Sequence, residues 1–275
     1  MKRFYIIVIL ILISLISGCL DSTPDNATEE LRISTTSSTC DTGILDLLNK
    51  EFENANNAKI LTVCQGTGKA IATGEMGAAD VVFVHAPASE LTAVEKGSFI
   101  NRTYVMYNYF VIIGPGNDPA GIRATENAPE ALGMIAGKEQ PFISRGDDSG
   151  THNKEKAIWM AANITPSGTW YQSVGKGMGD TIMTADIREA YTLSDRGTYL
   201  AMKDKTKLVI LFETDKEYLF NPYHVMAVNP EKFPDVKYDM SMKYINFLTS
   251  TEVQAIIRDY GKDKFDEPLF TPALI

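Results

Sequence analysis

From residue 31 onward, short apolar runs alternate with stretches in which apolar residues recur at helical spacing. Residues 31–34, 59–63 and 80–84 (DVVFV) read as strands. Between them Ile44, Leu45, Leu47, Leu48 and Phe52 fall on one helical face. Residues 67–73 and 87–95 read as two more helices, and a long strand over 104–113 ends at Gly114-Pro115-Gly116. The pattern then restarts with helices over 128–136, 151–162, 180–190 and 195–202 and strands over 141–144, 191–193, 208–212 and 223–228. Helices over 240–248 and 252–260 close the chain. This alternation predicts an α/β fold with parallel sheets. It divides into two Rossmann-like lobes, 31–112 plus 208–275 and 113–207. The strand around Phe110 crosses to the second lobe and 208–228 crosses back. Two crossings make a two-strand hinge, and a hinge between lobes makes a clamp for a ligand.

The N-terminus breaks the pattern. Met1-Lys2-Arg3 precedes an aliphatic run from Phe4 to Ile16 and then Ser17-Gly18-Cys19. The run is shorter than the roughly 20 residues a bilayer-spanning helix needs. A basic start, a short apolar core and a small-residue end describe an export signal over 1–18. Ile16-Ser17-Gly18-Cys19 resembles a lipobox, with cleavage before Cys19 and lipidation of its thiol; the competing reading is an uncleaved signal anchor. Residues 19–30 are polar and read as the tether of a protein held at the outer face of the cytoplasmic membrane. Export makes Cys40 and Cys64 a candidate disulfide pair, in loops after the first two strands. No CxxC occurs and His85, His152 and His224 lie far apart, so no metal site is expected.

The 275 residues carry a net charge of −9. That charge disfavours nucleic acid as a partner. It also means that an anion must be attracted by local dipoles rather than by the overall field.

Four segments rich in hydroxyls and glycine precede predicted helices: STTSSTCDTG (34–43), GTGK (66–69), SRGDDSGTH (144–152), and GKGMG (175–179) with TLSDRGT (192–198). Helix N-termini present free N–H groups and a favourable dipole, Ser and Thr add donors, and glycine permits close approach. Each segment alone reads as ordinary capping. Four across two lobes point to a small oxyanion. In the third, Arg145 ends a strand and Ser149-Gly150-Thr151 opens a helix, so a guanidinium fork and a helix start can address one anion. The competing reading pairs Arg145 with Asp147 or Asp148 at the surface. GTGK lacks a P-loop's upstream glycine and has Ala70 where the Ser/Thr belongs. Asp148, Ser149 and His152 crowd one helix start, a poor arrangement for a catalytic triad; a secreted serine hydrolase using Ser149 is the alternative from another class, and no enzyme is expected.

Over nearly the whole mature chain these segments, with ADVVFVHAP, VMYNYFVIIGP, NDPAGI, TWYQ, GKGMGDT, AYTLSDRGTYLA and FLTS, resemble the tungstate-binding proteins of ABC transporters. The resemblance implies a two-lobed periplasmic-binding-protein fold of type II, no cofactor, a membrane permease as partner and a monomer. It implies tungstate, or the similar molybdate, held by Ser37, Ser38, Thr39, Gly66 and Thr67 from one side and Arg145, Ser149, Gly150, Thr151, Met178 and Thr192 from the other. Cys40 departs from the family's first loop, where a Cys40–Cys64 bridge would tie two ligand loops together. The Arg…Ser-Gly-Thr element also resembles phosphate-binding proteins, so a phosphate- or sulfate-type oxyanion is the alternative ligand. Hydrogen phosphate rewards a buried carboxylate acceptor, whereas tungstate has no proton to offer one; Asp41, Asp147 and Asp148 are the candidate acceptors.

Overall fold

A computed structural model describes residues 28–274. The expected signal, Cys19 and most of the tether lie outside the described residues. The first lobe opens with β1 (Glu29–Thr36), α1 (Ser37–Asp41), α2 (Ile44–Asn56), β2 (Ala58–Gln65), α3 (Thr67–Glu75), β3 (Val81–Val84), α4 (Pro87–Glu95) and β4 (Phe99–Gly114). Helix α2 buries Ile44, Leu45, Leu48 and Phe52, the stripe its spacing predicts. All four residues of β3 are buried, because it lies between β1 and β9.

The second lobe follows with α5 (Ala128–Gly137), β5 (Phe142–Ser144), α6 (Gly150–Ala161), β6 (Tyr171–Ser173), α7 (Met178–Ile187), β7 (Thr192–Asp195), α8 (Arg196–Met202) and β8 (Val209–Phe212). The chain returns through β9 (Phe220–Val228), α9 (Tyr238–Leu248), α10 (Thr251–Asp259), α11 (Lys262–Phe265) and β10 (Thr271–Pro272).

Strand β4 joins the lobes. Its first part pairs with β9 and β10, and Phe110 to Gly114 pair with β7 and β8. A core around Phe110, Ile112, Phe142, Trp159 and Leu193 fills the second lobe. A larger core runs from Leu31, Phe52 and Tyr244 to Met178, Ile182 and Tyr199.

The sheets are mixed rather than parallel. β1 pairs in parallel with β2 and β3, and β5 with β6. β9 is antiparallel to β3 and β4 because it is the returning segment. Glu29 and Glu30, expected in the tether, pair with Ala58 and Lys59. Helix α1 had no periodic signal, since it is five residues long and capped by Thr36 Oγ1, which accepts from Thr39 N at 3.2 Å.

Cys40 on α1 and Cys64 near the end of β2 form a disulfide with Cα atoms 6.3 Å apart. Cys64 thus sits in a strand, beside Thr35 in register, not in the loop expected. The bridge closes a loop of sequence separation 24. Replacing both cysteines by serine should lower unfolding stability by about 3 kcal/mol, mainly through the unfolded chain. Urea unfolding measures this, and an unchanged midpoint would mean the bridge constrains little.

Candidate functional site

Sequence places a hydroxyl or glycine wherever a strand gives way to a helix at the junction between the lobes. β1 delivers Ser37, Ser38 and Thr39, and β2 delivers Gly66 and Thr67. β5 delivers Arg145 and the turn into α6, and β7 delivers Asp195 and the start of α8. These are the carboxyl ends of strands, where α/β sheets hold ligands.

Arg145 is 2% exposed. Its Nε donates to Asp147 Oδ2 at 2.9 Å, and its Nη2 donates across the lobes to Ser37 Oγ at 2.7 Å. The pairing with Asp147 is present, but at a buried position rather than at the surface as the competing reading had it, and the fork faces the first lobe. Beside it, Gly150 N donates to Thr67 Oγ1 at 2.7 Å. A Cβ at Gly150 would lie 3.1 Å from the His85 ring, and one at Gly66 would lie 3.5 Å from Asp147 O. Glycine at 150 thus allows the lobes to meet.

Among the described residues, five buried side-chain atoms lack hydrogen-bond partners: Arg145 Nη1, Thr151 Oγ1, Thr198 Oγ1, Asn108 Nδ2 and Asp195 Oδ2. Leaving such groups unpaired costs roughly 1–3 kcal/mol each. Four of the five can donate. Two of the five residues meet at the start of α8, where a Cβ at Gly197 would lie 3.3 Å from Asn108 Nδ2, 3.5 Å from Asp195 Oδ1 and 3.4 Å from Thr42. An oxyanion supplies the acceptors these donors lack. A cavity of 560 Å³ opens here, lined by Ser37, Asp41, Thr42, Asp180, Thr198, Lys205 and Lys264 among others. Burial, then the Asp195 charge, pushes the Asp41 carboxyl up, against the pull of Arg145.

The remaining expected residues fall as follows. Ser149 caps α6, its Oγ accepting from His152 N at 3.3 Å. Thr39 Oγ1 bonds Thr36 Oγ1 at 2.6 Å. Met178 opens α7 with its side chain in the larger core, so only its backbone faces the helix start. Thr192 is the exception: it opens β7, whose ligand-side end is Asp195, roughly 10 Å further along the strand. Asp195 and Thr198 stand at the other end of the strand, beside Gly197 and Asn108.

Of the expected acceptors, Asp147 is bound to Arg145 and Asp148 is exposed and paired with Lys156. Asp195, at the end of β7, is also fully buried, and its Oδ1 accepts from Thr198 N at 2.8 Å. His152 Nδ1 accepts from Asp148 N. Among the described residues no imidazole bonds Ser149 Oγ, so the hydrolase arrangement is not assembled.

Sequence reading did not single out Asn108, His85 or Asn221 for this junction, and it named Asp195 and Thr198 only within the segment 192–198. A polar residue at an inward position of an apolar strand was the available signal: Asn108 interrupts the aromatic run of β4, and His85 follows the apolar β3.

The profile described as a PBP superfamily domain matches residues 22–252. The tungstate-binding protein TupA of Peptoclostridium acidaminophilum is 40% identical, with 99% of each chain covered. This chain belongs to the PBP superfamily, in the family of the tungstate-binding proteins. TupA of Campylobacter jejuni is 39% identical over 85% of this chain and 87% of its own. The crystal structure of the tungstate ABC transporter from Geobacter sulfurreducens is 54% identical, with a TM-score of 0.78 over 84% of this chain and 99% of that one.

Beneath Arg145, Glu155 is buried and accepts from Ser144 Oγ at 2.8 Å, Tyr171 Oη at 2.7 Å and Trp159 Nε1 at 3.1 Å. Burial outweighs these donors and pushes its carboxyl from the ordinary 4.5 up to about 7. A raised folded-state pKa means the folded form holds the proton more tightly. That stabilisation is complete below pH 4.5 and is lost as pH rises to about 7. Glu155→Gln should flatten the dependence of Tm on pH between 5 and 8, and parallel curves for the two proteins would contradict this assignment.

Proposed function

We propose that the protein captures tungstate between its lobes and passes it to an ABC permease. The observation that carries this reading is the set of unpartnered buried donors on the strand-to-helix segments of the junction, Arg145 Nη1 among them. The 40% identity to a tungstate-binding protein over the full chain supports it. Ser37, Ser38, Thr39, Gly66 and Thr67 from one lobe and Arg145, Gly150, Thr151, Asn108 and Thr198 around the other side form the proposed hydrogen-bonding shell. All contacts go to oxygen atoms, so the anion is held as a whole and nothing is transformed. Molybdate, of similar size and charge, fits the same shell.

The expected bounds shift at the crossings: Phe110–Gly114 and β8 pack with the second lobe, so 31–109 with 220–274 act as one body and 110–219 as the other. The anion bridges them and shifts the population toward the closed form. We further propose export by residues 1–18, lipidation at Cys19 at the outer face of the cytoplasmic membrane, and function as a monomer. One acyl chain anchors only marginally, so more than one would be attached.

Arg145→Ala should weaken tungstate binding more than tenfold, about 1.4 kcal/mol or above. Calorimetry measures it directly, and an unchanged affinity would remove Arg145 from the site.

A further inference from the structure

Two asparagines, a histidine and a serine form a hydrogen-bond chain with both ends at the junction. Asn221 Nδ2 donates to Asn108 Oδ1 at 2.7 Å. His85 Nδ1 lies 2.8 Å from Asn221 Oδ1, and His85 Nε2 lies 3.0 Å from Ser38 Oγ. His85 is 3% exposed and stacks on Tyr223, ring centroids 4.6 Å apart.

The chain has a direction. A carboxamide oxygen only accepts, so His85 Nδ1 carries the proton toward Asn221. In a neutral imidazole Nε2 is then a bare acceptor, and Ser38 must turn its only hydroxyl proton toward His85. Thr36 Oγ1, 3.1 Å from Ser38 Oγ, competes for the same proton or donates to the same oxygen. Either way, Ser38 presents lone pairs to the junction. At the other end Asn108 presents its unpartnered Nδ2. Reversing both amides frees the Ser38 proton but aims the Asn108 oxygen at the junction instead. A neutral chain can therefore donate at one end only. A dianion calls for donors at both.

We infer that His85 takes up one proton when the oxyanion binds, so that the imidazolium donates at both nitrogens, Ser38 donates to the anion, and Asn108 keeps its donor in place. His85 is a positioning residue and touches no ligand atom. The inference rests on the tungstate reading above. In balance, one proton from solvent is added to Nε2, Ser38 Oγ–H rotates from His85 to an anion oxygen, and no covalent bond to the anion forms or breaks. The complex gains one positive charge beside the dianion.

The surroundings suit this coupling. The charged groups facing His85 are Asp195 at the end of β7, Arg145 after β5 and Glu90 on α4, and Glu90 is paired with Arg102 on β4. Burial, the largest influence, lowers the His85 pKa, while Asp195 and the Asn221 bond raise it and Arg145 lowers it. The free protein thus holds His85 neutral near pH 7, and the anion's charge brings the proton in. A group whose pKa rises on binding makes binding tighter as pH falls through the window between its free and bound values.

Calorimetry of tungstate binding at pH 7.5 in buffers of different ionisation enthalpy counts the protons exchanged. The wild type should take up as much as one proton per anion, and its Kd should tighten by as much as tenfold per unit between pH 8 and 6.5. His85→Gln should bind without proton uptake and with a flat pH profile. The protein has three histidines, so carbon-13 shifts can be assigned to the His85 ring, which should become imidazolium on tungstate addition even if the variant folds poorly. Wild-type binding without proton uptake overturns the inference while leaving the tungstate reading intact. So does uptake retained in His85→Gln. Absence of tungstate binding by the wild type overturns both.

Discussion

The buried guanidinium of Arg145 is the constraint around which the junction is arranged. An arginine that is 2% exposed needs compensation for each N–H it removes from water. Asp147 supplies part of it from the same turn and Ser37 supplies part from the opposite lobe. The remainder falls to an anion. The Nη2 bond to Ser37 also ties the two lobes together, so under the proposed function ligand capture and closure would be one event. Glu155 supports the arrangement from below through Ser144, the residue before Arg145.

A net charge of −9 gives this protein no long-range attraction for an anion. Asp41 and Asp180 line the cavity together with Lys205 and Lys264, so its lining carries no excess positive charge to draw an anion in. The affinity therefore depends on oriented N–H and O–H groups in a site of low dielectric, where such bonds are strong. Under the proposed function Asp195 would sharpen the choice of ligand. Its Oδ2 is buried and unpartnered, and a proton-bearing oxyanion could donate to it where tungstate cannot. Its other oxygen is occupied as the cap of α8, and Asn108 and Thr198 stand beside it as local donors.

Much of this was legible in the sequence because the relevant signals are local. Hydroxyls and glycines before helices marked α3, α6 and α8, and the arginine at the end of a short strand marked the fork. The apolar run of β3 and the stripe of α2 were equally direct. What the sequence hid was non-local. The relay from Asn108 to Ser38 draws on β4, β9, β3 and α1, and no spacing rule brings those four together. Where β7 stops was not legible either, and it is Asp195 and Thr198, not Thr192, that stand at the end of the strand beside the junction. Antiparallel β9 was hidden for the same reason: strand–helix alternation gives no sign of a segment that returns from the other lobe.

The most direct test of the account is competitive calorimetry of the intact protein with tungstate, molybdate, sulfate and phosphate under one buffer condition. The account predicts that tungstate, with molybdate as its nearest competitor, displaces sulfate and phosphate. Phosphate binding as tight as or tighter than tungstate would contradict it and would make Asp195 the acceptor of a protonated ligand.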